Sequence, residues 1–443
     1  LSIAGILLML AVAVILLIPS RNIWLSYFGI LPMITGFAML TPLVITGLEK
    51  IFSPALRSLF GITGKIASRS MIQNISRTYI AVAALALAVA ATVGVGTMIS
   101  SFRDTVIEWL GSRLNADVFV SAPNLISRRN DVVLPDELAE KIRGVNGVTG
   151  INFYRELEIF QDGKKIHLIS SGVSKRGFDG FQFKDGDPEE IWNEFTGGDI
   201  IVSEPFAYRY DLEAGSMLKL KTDKGIREFR VAGVYYDYAS DQGLVAIYHS
   251  EFKKHWDAKG LSGISAYAID EGSIEKIKSD IQNLDTGGQK ILVRGYKFLR
   301  DTSIEVFDRT FLVAKALQAL AVIVAFIGIF SSLMSLQLER KKELGILRAN
   351  GLLPSQLFGM VNLQTLLMGI TAGVLALPLG NLLAAILVYI INKRSFGWTM
   401  QFSAVPSIMA EALILAIVAA VLAGIYPGIR MSQTSPANAL REE

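Results

Sequence analysis

The sequence predicts a multi-pass α-helical membrane protein with six transmembrane helices and a large extracytoplasmic α/β domain. Three observations carry this prediction. Of the 443 residues, 51% are hydrophobic, and these residues cluster in six long runs instead of spreading along the chain. A polar block at 102–305 separates the third run from the fourth. Basic residues are concentrated beside the runs, which is typical of the loops that flank membrane helices.

Each apolar run is a candidate span, because roughly 18 or more apolar residues cross the about 30 Å hydrocarbon core. The runs are 3–18, 23–48, 78–100, 311–338, 357–391 and 404–427. A signal peptide over 1–20 is the alternative for the first run, but that stretch lacks a basic n-region and an A-x-A site. Since Leu1 stands inside an apolar run, we expect the chain to be the C-terminal part of a longer polypeptide.

The distribution of charge orients the chain. Residues 101–310 hold 28 Lys and Arg against 34 Asp and Glu, whereas the remaining residues hold 15 against 6. Short cytoplasmic loops carry the excess of basic residues. On one side of the membrane the connecting segments hold Lys50, Arg57, Lys65, Arg69, Arg77, Arg340, Lys341, Lys342, Arg348, Arg430 and Arg441; on the other they hold Arg21, Lys393 and Arg394. We therefore expect the loop at 336–358 to be cytoplasmic and residues 102–305 to face outward.

The polar block has the pattern of a folded mixed α/β domain. Enrichment in β-branched and aromatic residues predicts strands at 117–122 and 227–236. Helical spacing of apolar residues predicts helices at 134–145 and 273–284. The turn signals QDGKK, KDGDP and TDKG separate these elements. The pattern fits one compact domain or two small ones.

The loop LQLERKKELGILRANGLLPSQLF, at 336–358, places six charges between two apolar runs. It predicts a short amphipathic helix with Leu344, Ile346 and Leu347 on its apolar side. Gly351 suits a left-handed C-terminal cap, and Pro354 suits the first turn of the next helix. Such a helix is a docking surface for a soluble partner. The alternative is a solvated loop that obeys the positive-inside rule.

Three further segments carry predictions about the membrane part. GKIASRSMIQNISR, at 64–77, has the spacing of an interfacial helix on an anionic leaflet, or else of an ordinary basic flank. Residues 301–338 predict one helix of roughly 57 Å, which exceeds the bilayer core, and 101–114 extends the third span similarly. These extensions are stalks towards the outer domain, unless each helix breaks at the membrane surface. Small residues at Gly94, Gly96, Gly369 and Gly373 predict close helix contacts.

Signals for chemistry are sparse in this sequence. His167, His249 and His255 lack the spacing of a metal site, and the chain has no cysteine. GITGKI, at 61–66, lacks the first glycine and the Ser or Thr of a phosphate-binding loop. We therefore expect no catalytic residue, cofactor or metal in this chain. A nucleic-acid partner is excluded, because the basic residues form no clustered face.

The arrangement resembles the FtsX-like permeases of ABC transporters, of the MacB/LolC type that is also called type VII. The resemblance covers 65–443: an interfacial helix, one span, a large outer domain and three spans. The loop LERKKELGILRANGLLPSQLF is similar to the family's segment that contacts the ATPase. The tail YPGIRMSQTSPANALR is similar to the family's ending. The resemblance implies that the coupling residues are Glu339, Arg340, Glu343, Gly345, Arg348 and Gly351.

Two features depart from the four-helix members of that family. Gln364 stands where a glutamate often follows the coupling helix. Residues 1–50 add two spans that resemble the linker pair of long, ten-span permeases, of which this chain would be the C-terminal repeat. The predicted domains are two transmembrane helices at 1–50, a cytoplasmic segment with an interfacial helix at 51–77, a transmembrane helix at 78–101, the extracytoplasmic α/β domain at 102–305, a stalk and transmembrane helix at 306–338, the coupling helix at 339–356, two transmembrane helices at 357–430 and a cytoplasmic tail at 431–443.

The resemblance implies the permease subunit of an ABC transporter in the bacterial inner (plasma) membrane. A separate ABC-type ATPase would use ATP and Mg, and the permease would export or extract a lipid, lipoprotein or other amphipathic substrate. Membrane lipids and a periplasmic or extracellular protein are further expected partners. The alternative function is a transmembrane relay that activates an extracytoplasmic partner, such as a cell-wall hydrolase, without transport. A membrane enzyme with its site in the outer domain is a third hypothesis.

Overall fold

A computed structural model describes residues 2–18, 20–73, 75–123, 132–161, 163–339, 346 and 348–433. The chain divides into two compact units. We call Leu1–Phe102, Thr310–Arg394 and Met400–Glu443 the helical unit, and Arg103–Arg309 with Ser395–Thr399 the α/β unit.

The described residues form helices and strands in the following order. The helices are α1 (Ser2–Leu17), α2 (Ile23–Ala38), α3 (Thr41–Gln73), α4 (Ile75–Arg113), α5 (Asp136–Arg143), α6 (Lys175–Phe178), α7 (Pro188–Gly197), α8 (Glu204–Tyr210), α9 (His249–His255), α10 (Ile274–Gln282), α11 (Tyr296–Thr310), α12 (Leu312–Glu339), α13 (Pro354–Ile386), α14 (Asn392–Phe396) and α15 (Pro406–Gln433). The strands are β1 (Val118–Ser121), β2 (Val148–Gln161), β3 (Lys164–Gly172), β4 (Ile200–Ser203), β5 (Met217–Thr222), β6 (Gly225–Tyr235), β7 (Leu244–Tyr248), β8 (Gly263–Ala268) and β9 (Leu292–Gly295).

Five helical stretches among the described residues are long and apolar enough to cross a membrane: Ile23–Gln73, Thr78–Arg113, Tyr296–Gly328, Pro354–Phe396 and Pro406–Gln433. They match the second to sixth predicted spans. The first predicted span corresponds to α1, which has 16 residues. Because a helix rises 1.5 Å per residue, α1 covers about 24 Å and is shorter than the hydrocarbon core. The first predicted span, and with it the count of six, therefore stays a prediction.

The helical unit packs closely at glycines of α4, α13 and α15. A Cβ atom on Gly380 would lie 2.5 Å from Cβ of Val93, and one on Gly94 would lie 2.9 Å from Cβ of Leu383. A Cβ on Gly369 would lie 3.0 Å from the carbonyl oxygen of Ala416. The predicted contacts at Gly94 and Gly369 are thus confirmed, and they let the helix backbones approach as small residues do in membranes.

The two predicted stalks differ in continuity. α4 continues without a break from Ile75 to Arg113, as the sequence predicts. The single helix predicted over 301–338 is instead interrupted at Phe311, between α11 and α12. The amide of Lys315 bonds to the carbonyl oxygen of Phe311 at 3.2 Å, so helical hydrogen bonding resumes at once. The interruption is confined to one residue.

The basic segment at 64–77 lies in the second half of α3 and the start of α4. Gly61, with φ 61° and ψ −134°, breaks the helical conformation of α3. Oγ of Ser68 lies 3.4 Å from Oγ of Ser53, although 15 residues separate them in the chain. A straight helix would hold these residues about 22 Å apart. The second half of α3 therefore folds back along the first, which the sequence analysis did not predict.

The α/β unit is built on one nine-stranded sheet, with the order β5-β6-β4-β7-β3-β2-β8-β1-β9 in the described residues. The strands β3 and β7 are parallel, as are β4 and β6, and the other pairs are antiparallel. The strands predicted at 117–122 and 227–236 are β1 and β6. The helices predicted at 134–145 and 273–284 are α5 and α10. The turns QDGKK and TDKG close the hairpins β2–β3 and β5–β6.

Helices pack on both faces of the sheet. α5 and α10 pack through Leu138 and Ile277 on a core that includes Ile151 of β2. Along the sheet, Ile200 of β4 belongs to the core with α8 and α9, and its neighbour Ile201 belongs to the core with α6 and α7. Successive residues of a strand point to opposite faces, so these two cores lie on opposite faces of the sheet.

Candidate coupling segment and cavity

The predicted coupling segment is only partly within the described residues. Arg340, Glu343 and Gly345 lie outside them, as does the side chain of Glu339. Arg348 and Gly351 are described. The structure therefore brings together only these two of the six predicted coupling residues, and the role of all six stays a prediction.

Arg348 and Gly351 end a helical turn against the last helix of the helical unit. The guanidinium of Arg348 donates from Nη1 to the carbonyl oxygen of Ser432, at 3.1 Å, near the end of α15. The amide of Gly351 bonds to the carbonyl oxygen of Arg348 at 3.1 Å. Gly351 has φ 95°, in the left-handed region, which confirms the predicted cap.

The next helix starts as predicted. Pro354 is the first residue of α13, and the amide of Leu353 donates to Oε1 of Gln356 at 3.0 Å. Leu352 packs on the core of the helical unit. Ile346 and Leu353 are 50% and 57% exposed. The segment thus combines an anchored arginine, a fixed helix stop and two apolar side chains that a partner can cover.

Hydrogen bonds within the helical unit join segments that were predicted on the same side of the membrane. Arg394 donates to the carbonyl oxygens of Leu16 at 3.1 Å and Ile18 at 2.7 Å, and to Oγ of Ser26 at 2.8 Å. These four residues fall on the predicted outer side. The bond between Arg348 and Ser432 joins two residues of the predicted cytoplasmic side. The contacts agree with the orientation predicted from charge.

α4 and the segment just before α15 are also joined through serines. The amide of Ser403 donates to Oγ of Ser101 at 3.0 Å.

Gln364, where the resemblance has a glutamate, is buried in α13 with 4% exposure. A glutamate at that place would be a buried acid, whereas the amide of Gln364 carries no charge to desolvate.

A cavity of about 620 Å³ lies in the α/β unit. Its lining includes Asn152, Tyr154 and Glu156, which alternate along β2 and so share one face of the sheet. Ile151, on the other face of β2, belongs to the core with α5 and α10. The cavity therefore occupies the face of β2 that those two helices leave uncovered. The sequence analysis did not predict it.

Asp237, just after β6, lines this cavity and is 2% exposed. Its Oδ2 atom is buried and has no hydrogen-bond partner among the described residues. Burial raises the pKa of Asp237 to about 6, although the charge of Arg113 and the amide of Ala239 act in the opposite direction. The guanidinium of Arg113 itself lies over the ring of Phe181, 3.7 Å from its centroid.

The segment at 395–399, from the end of α14 into the following loop, packs within the α/β unit. Glu204, which is 3% exposed, accepts hydrogen bonds from the amide of Thr399 at 2.8 Å and from its hydroxyl at 2.6 Å. The hydroxyl of Tyr238 donates to the carbonyl oxygen of Thr399 at 2.6 Å. Trp398 contacts the rings of Tyr238 and Phe396. These bonds fix the loop, which joins α14 to α15 in the chain.

The three histidines are engaged separately. Nδ1 of His249 lies 2.8 Å from Oγ of Ser170, Nε2 of His255 lies 2.9 Å from Oε1 of Glu251, and Nδ1 of His167 lies 3.8 Å from Oε1 of Glu156. Ser170 is fully buried, so this Ser–His pair cannot meet a substrate in the described structure. The described residues contain no group of three or more His, Cys, Asp or Glu that could hold a metal ion.

Two families match parts of the chain. Residues 78–284 match the MacB-like periplasmic core domain, and residues 316–436 match the FtsX-like permease C-terminal family.

Relatives of known sequence match over longer stretches. An uncharacterized ABC transporter permease of Mycobacterium tuberculosis is 35% identical over 96% of this chain and 50% of its own length. An uncharacterized ABC transporter permease of Methanocaldococcus jannaschii is 23% identical over 53% of this chain and 59% of its own length. The chain thus spans little more than half the length of these relatives. The periplasmic region of MacB from Actinobacillus actinomycetemcomitans is 14% identical, with a TM-score of 0.32, over 43% of this chain and 94% of that structure.

Proposed function

This chain belongs to the ABC transporter permeases of the MacB/FtsX type, multi-pass proteins of the bacterial plasma membrane, and we propose that it couples a separate ATPase to movement of its α/β unit. In this proposal the coupling segment at 339–351 binds the ATPase on the cytoplasmic side. ATP-dependent closure of the ATPase moves the segment and the spans beside it. The α/β unit then moves a substrate on the opposite side of the membrane.

The ATPase is a separate subunit in this proposal because the described residues form no phosphate-binding loop between a strand and a helix. A phosphate-binding loop joins a strand to a helix, and its backbone amides surround the phosphates. GITGKI, the nearest sequence match, lies inside α3 at the break at Gly61, and not between a strand and a helix. ATP and Mg would therefore be bound by the partner.

The observation that carries the proposal is the bond between Arg348 and the carbonyl oxygen of Ser432. It ties the C-terminal end of the coupling segment to the end of α15. A charge-assisted hydrogen bond of this kind is stronger and geometrically more defined than a neutral one. Displacement of the segment by a bound ATPase would therefore act on the last span as well as on α12 and α13.

The substrate we propose is a lipid, lipoprotein or other amphipathic molecule, which need not cross the bilayer through the protein. α4 offers a path for the motion, since it is a single helix from Ile75 in the helical unit to Arg113 in the α/β unit. A helix transmits displacement along its axis because its hydrogen bonds run parallel to that axis.

The first prediction concerns binding of the ATPase. In the full chain, purified from membranes in mild detergent, Glu343→Lys should abolish co-purification of an ABC-type ATPase, because it reverses a charge in the docking surface. ATPase stimulation on reconstitution should be lost with it. Glu213→Lys is the matched control: it makes the same charge reversal at an exposed turn of the α/β unit, and binding should be unchanged. Equal recovery of ATPase with Glu343→Lys and wild type would contradict the proposal.

A further inference from the structure

The cavity of the α/β unit has the size of a site for an organic ligand. Pockets that hold drug-sized molecules measure roughly 300–1,000 Å³, and this one measures about 620 Å³. Its walls come mainly from the end of α4, from seven strands of the sheet and from the segment after β6. Aromatic side chains form much of the lining: Trp109, Phe119, Phe153, Tyr154, Phe181 and Tyr235.

Two polar atoms in this lining lack the partners that buried atoms normally have. Oδ2 of Asp237 is an acceptor without a hydrogen bond, and Nε1 of Trp109 is a donor without one, among the described residues. Most buried polar side-chain atoms in proteins are hydrogen-bonded, so an exception calls for an explanation. A ligand that bonds to both atoms would supply it.

The carboxylate of Asp237 identifies the charge of that ligand. Aromatic faces attract cations, and a carboxylate beside them completes a site for a protonated amine. Arg113 also lines the cavity and its charge acts on Asp237, but its guanidinium is stacked on Phe181 and makes no hydrogen bond to Oδ2 of Asp237. Oδ2 of Asp237 therefore keeps an acceptor position that no described residue uses.

We propose that this cavity binds a drug-sized organic cation, whose protonated amine donates to Oδ2 of Asp237. An oxygen of the ligand accepts from Nε1 of Trp109, and its apolar part lies against the aromatic walls. The proposal does not depend on coupling to an ATPase. We expect the ligand to bind to this chain without the ATPase, whether the ligand is a transported substrate or a signal.

Three matched probes test the proposal on the full chain in detergent at pH 7.5. They are 2-phenoxyethylamine, a cation with an ether oxygen; 2-phenoxyethanol, its neutral analogue; and phenoxyacetate, an anion of similar size. Titration calorimetry should show the amine binding about tenfold more tightly than either analogue, since a hydrogen bond to a charged group exceeds a neutral one. Tighter binding of phenoxyacetate, or binding of none of the three, would overturn the proposal.

Variants test how each of the two atoms contributes to the preference for the amine. Asp237→Asn keeps the shape of the side chain and should remove the preference for the amine. Trp109→Phe should weaken binding of the amine and binding of the alcohol by a similar factor. The preference for the amine should remain. Asp185→Asn is the control, since this side chain is 80% exposed and is not part of the lining. A preference for the amine that persists in Asp237→Asn would refute the site.

Discussion

At the scale of single residues, Asp237 is an unusual acid because burial makes its charged form costly. Its pKa rises from 3.8 to about 6 in the folded protein. The groups with which it interacts are Arg113, Tyr235, Tyr238 and the amide of Ala239. Arg113 and the amide favour the carboxylate, but they do not offset its desolvation.

This shift predicts a pH-dependent stability. Below pH 3.8 the acid is protonated in both folded and unfolded chains, so it has no effect. Between pH 3.8 and about 6 the folded state holds the proton more tightly, and stability falls as pH rises. Above pH 6 the penalty is constant, at about 3 kcal/mol for a shift of this size. Asp237→Asn should therefore raise the melting temperature of the α/β unit at pH 7.5 by about 5 °C or more, and by only about 1–2 °C at pH 4, where little of the penalty has developed.

Calorimetry of the full chain across pH 4–8 measures this difference. Asp185→Asn serves again as the control, because it neutralises an exposed acid that interacts at 3.9 Å with Lys184. Its melting temperature should follow that of wild type at every pH. If Asp237→Asn were equally stabilising at pH 4 and pH 7.5, the effect would not come from the titration of this carboxyl.

The sequence predicted some residues of the candidate sites and not others, for a physical reason. Gly351 and Pro354 were predicted because local backbone geometry alone requires them at a helix end and a helix start. Asp237 gave a weak signal, an acid between tyrosines at the end of an apolar strand. Its burial arises only when α4 and α6 come to lie beside β6, and these segments are distant in the sequence. No local sequence pattern predicts that contact.

At the scale of helices and strands, periodicity predicted elements well where burial is one-sided. α5 and α10 present apolar residues at helical spacing because only one side contacts the sheet. The fold-back of α3 was missed, because a glycine in an apolar run has several interpretations. Only the positive φ of Gly61 shows that this one reverses the chain.

Close packing of α4 on α13 gives the fourth prediction. Gly380→Leu should destabilise the helical unit, because the position of its Cβ is already 2.5 Å from Val93 and 3.0 Å from the carbonyl oxygen of Ala90. Overpacking of this kind costs about 1–3 kcal/mol or more. Thermal stability in detergent, followed by size-exclusion chromatography, should fall by several degrees or the variant should aggregate.

Gly359→Leu is the matched control for that variant. It makes the same change in the same helix, at a place where a Cβ would meet nothing within 4 Å. Its stability should stay within a degree of wild type. Equal losses in the two variants would mean that the cost arises from replacing any glycine of α13, and not from the contact with α4.

At the scale of the whole molecule, the proposed function requires the coupling segment and the α/β unit to lie on opposite sides of the membrane. The positive-inside rule predicts this arrangement, and the bonds of Arg394 and Arg348 each join segments of one predicted side. The family adds that residues 78–284 match a periplasmic core domain. The side of the membrane on which each segment lies can be measured directly.

Cysteine labelling provides that measurement, and the absence of native cysteine makes single substitutions unambiguous. Lys259→Cys, at an exposed place in the α/β unit, should react with an impermeant maleimide in intact cells. Lys341→Cys should react only in inverted membrane vesicles. Ser2→Cys tests the first span: if α1 crosses the membrane despite its 16 residues, this position should also react only in inverted vesicles. Reaction of Lys341→Cys and Lys259→Cys from the same side would exclude coupling across the membrane. The segment that binds the ATPase and the α/β unit would then lie on one side, and no motion would have to pass through the spans.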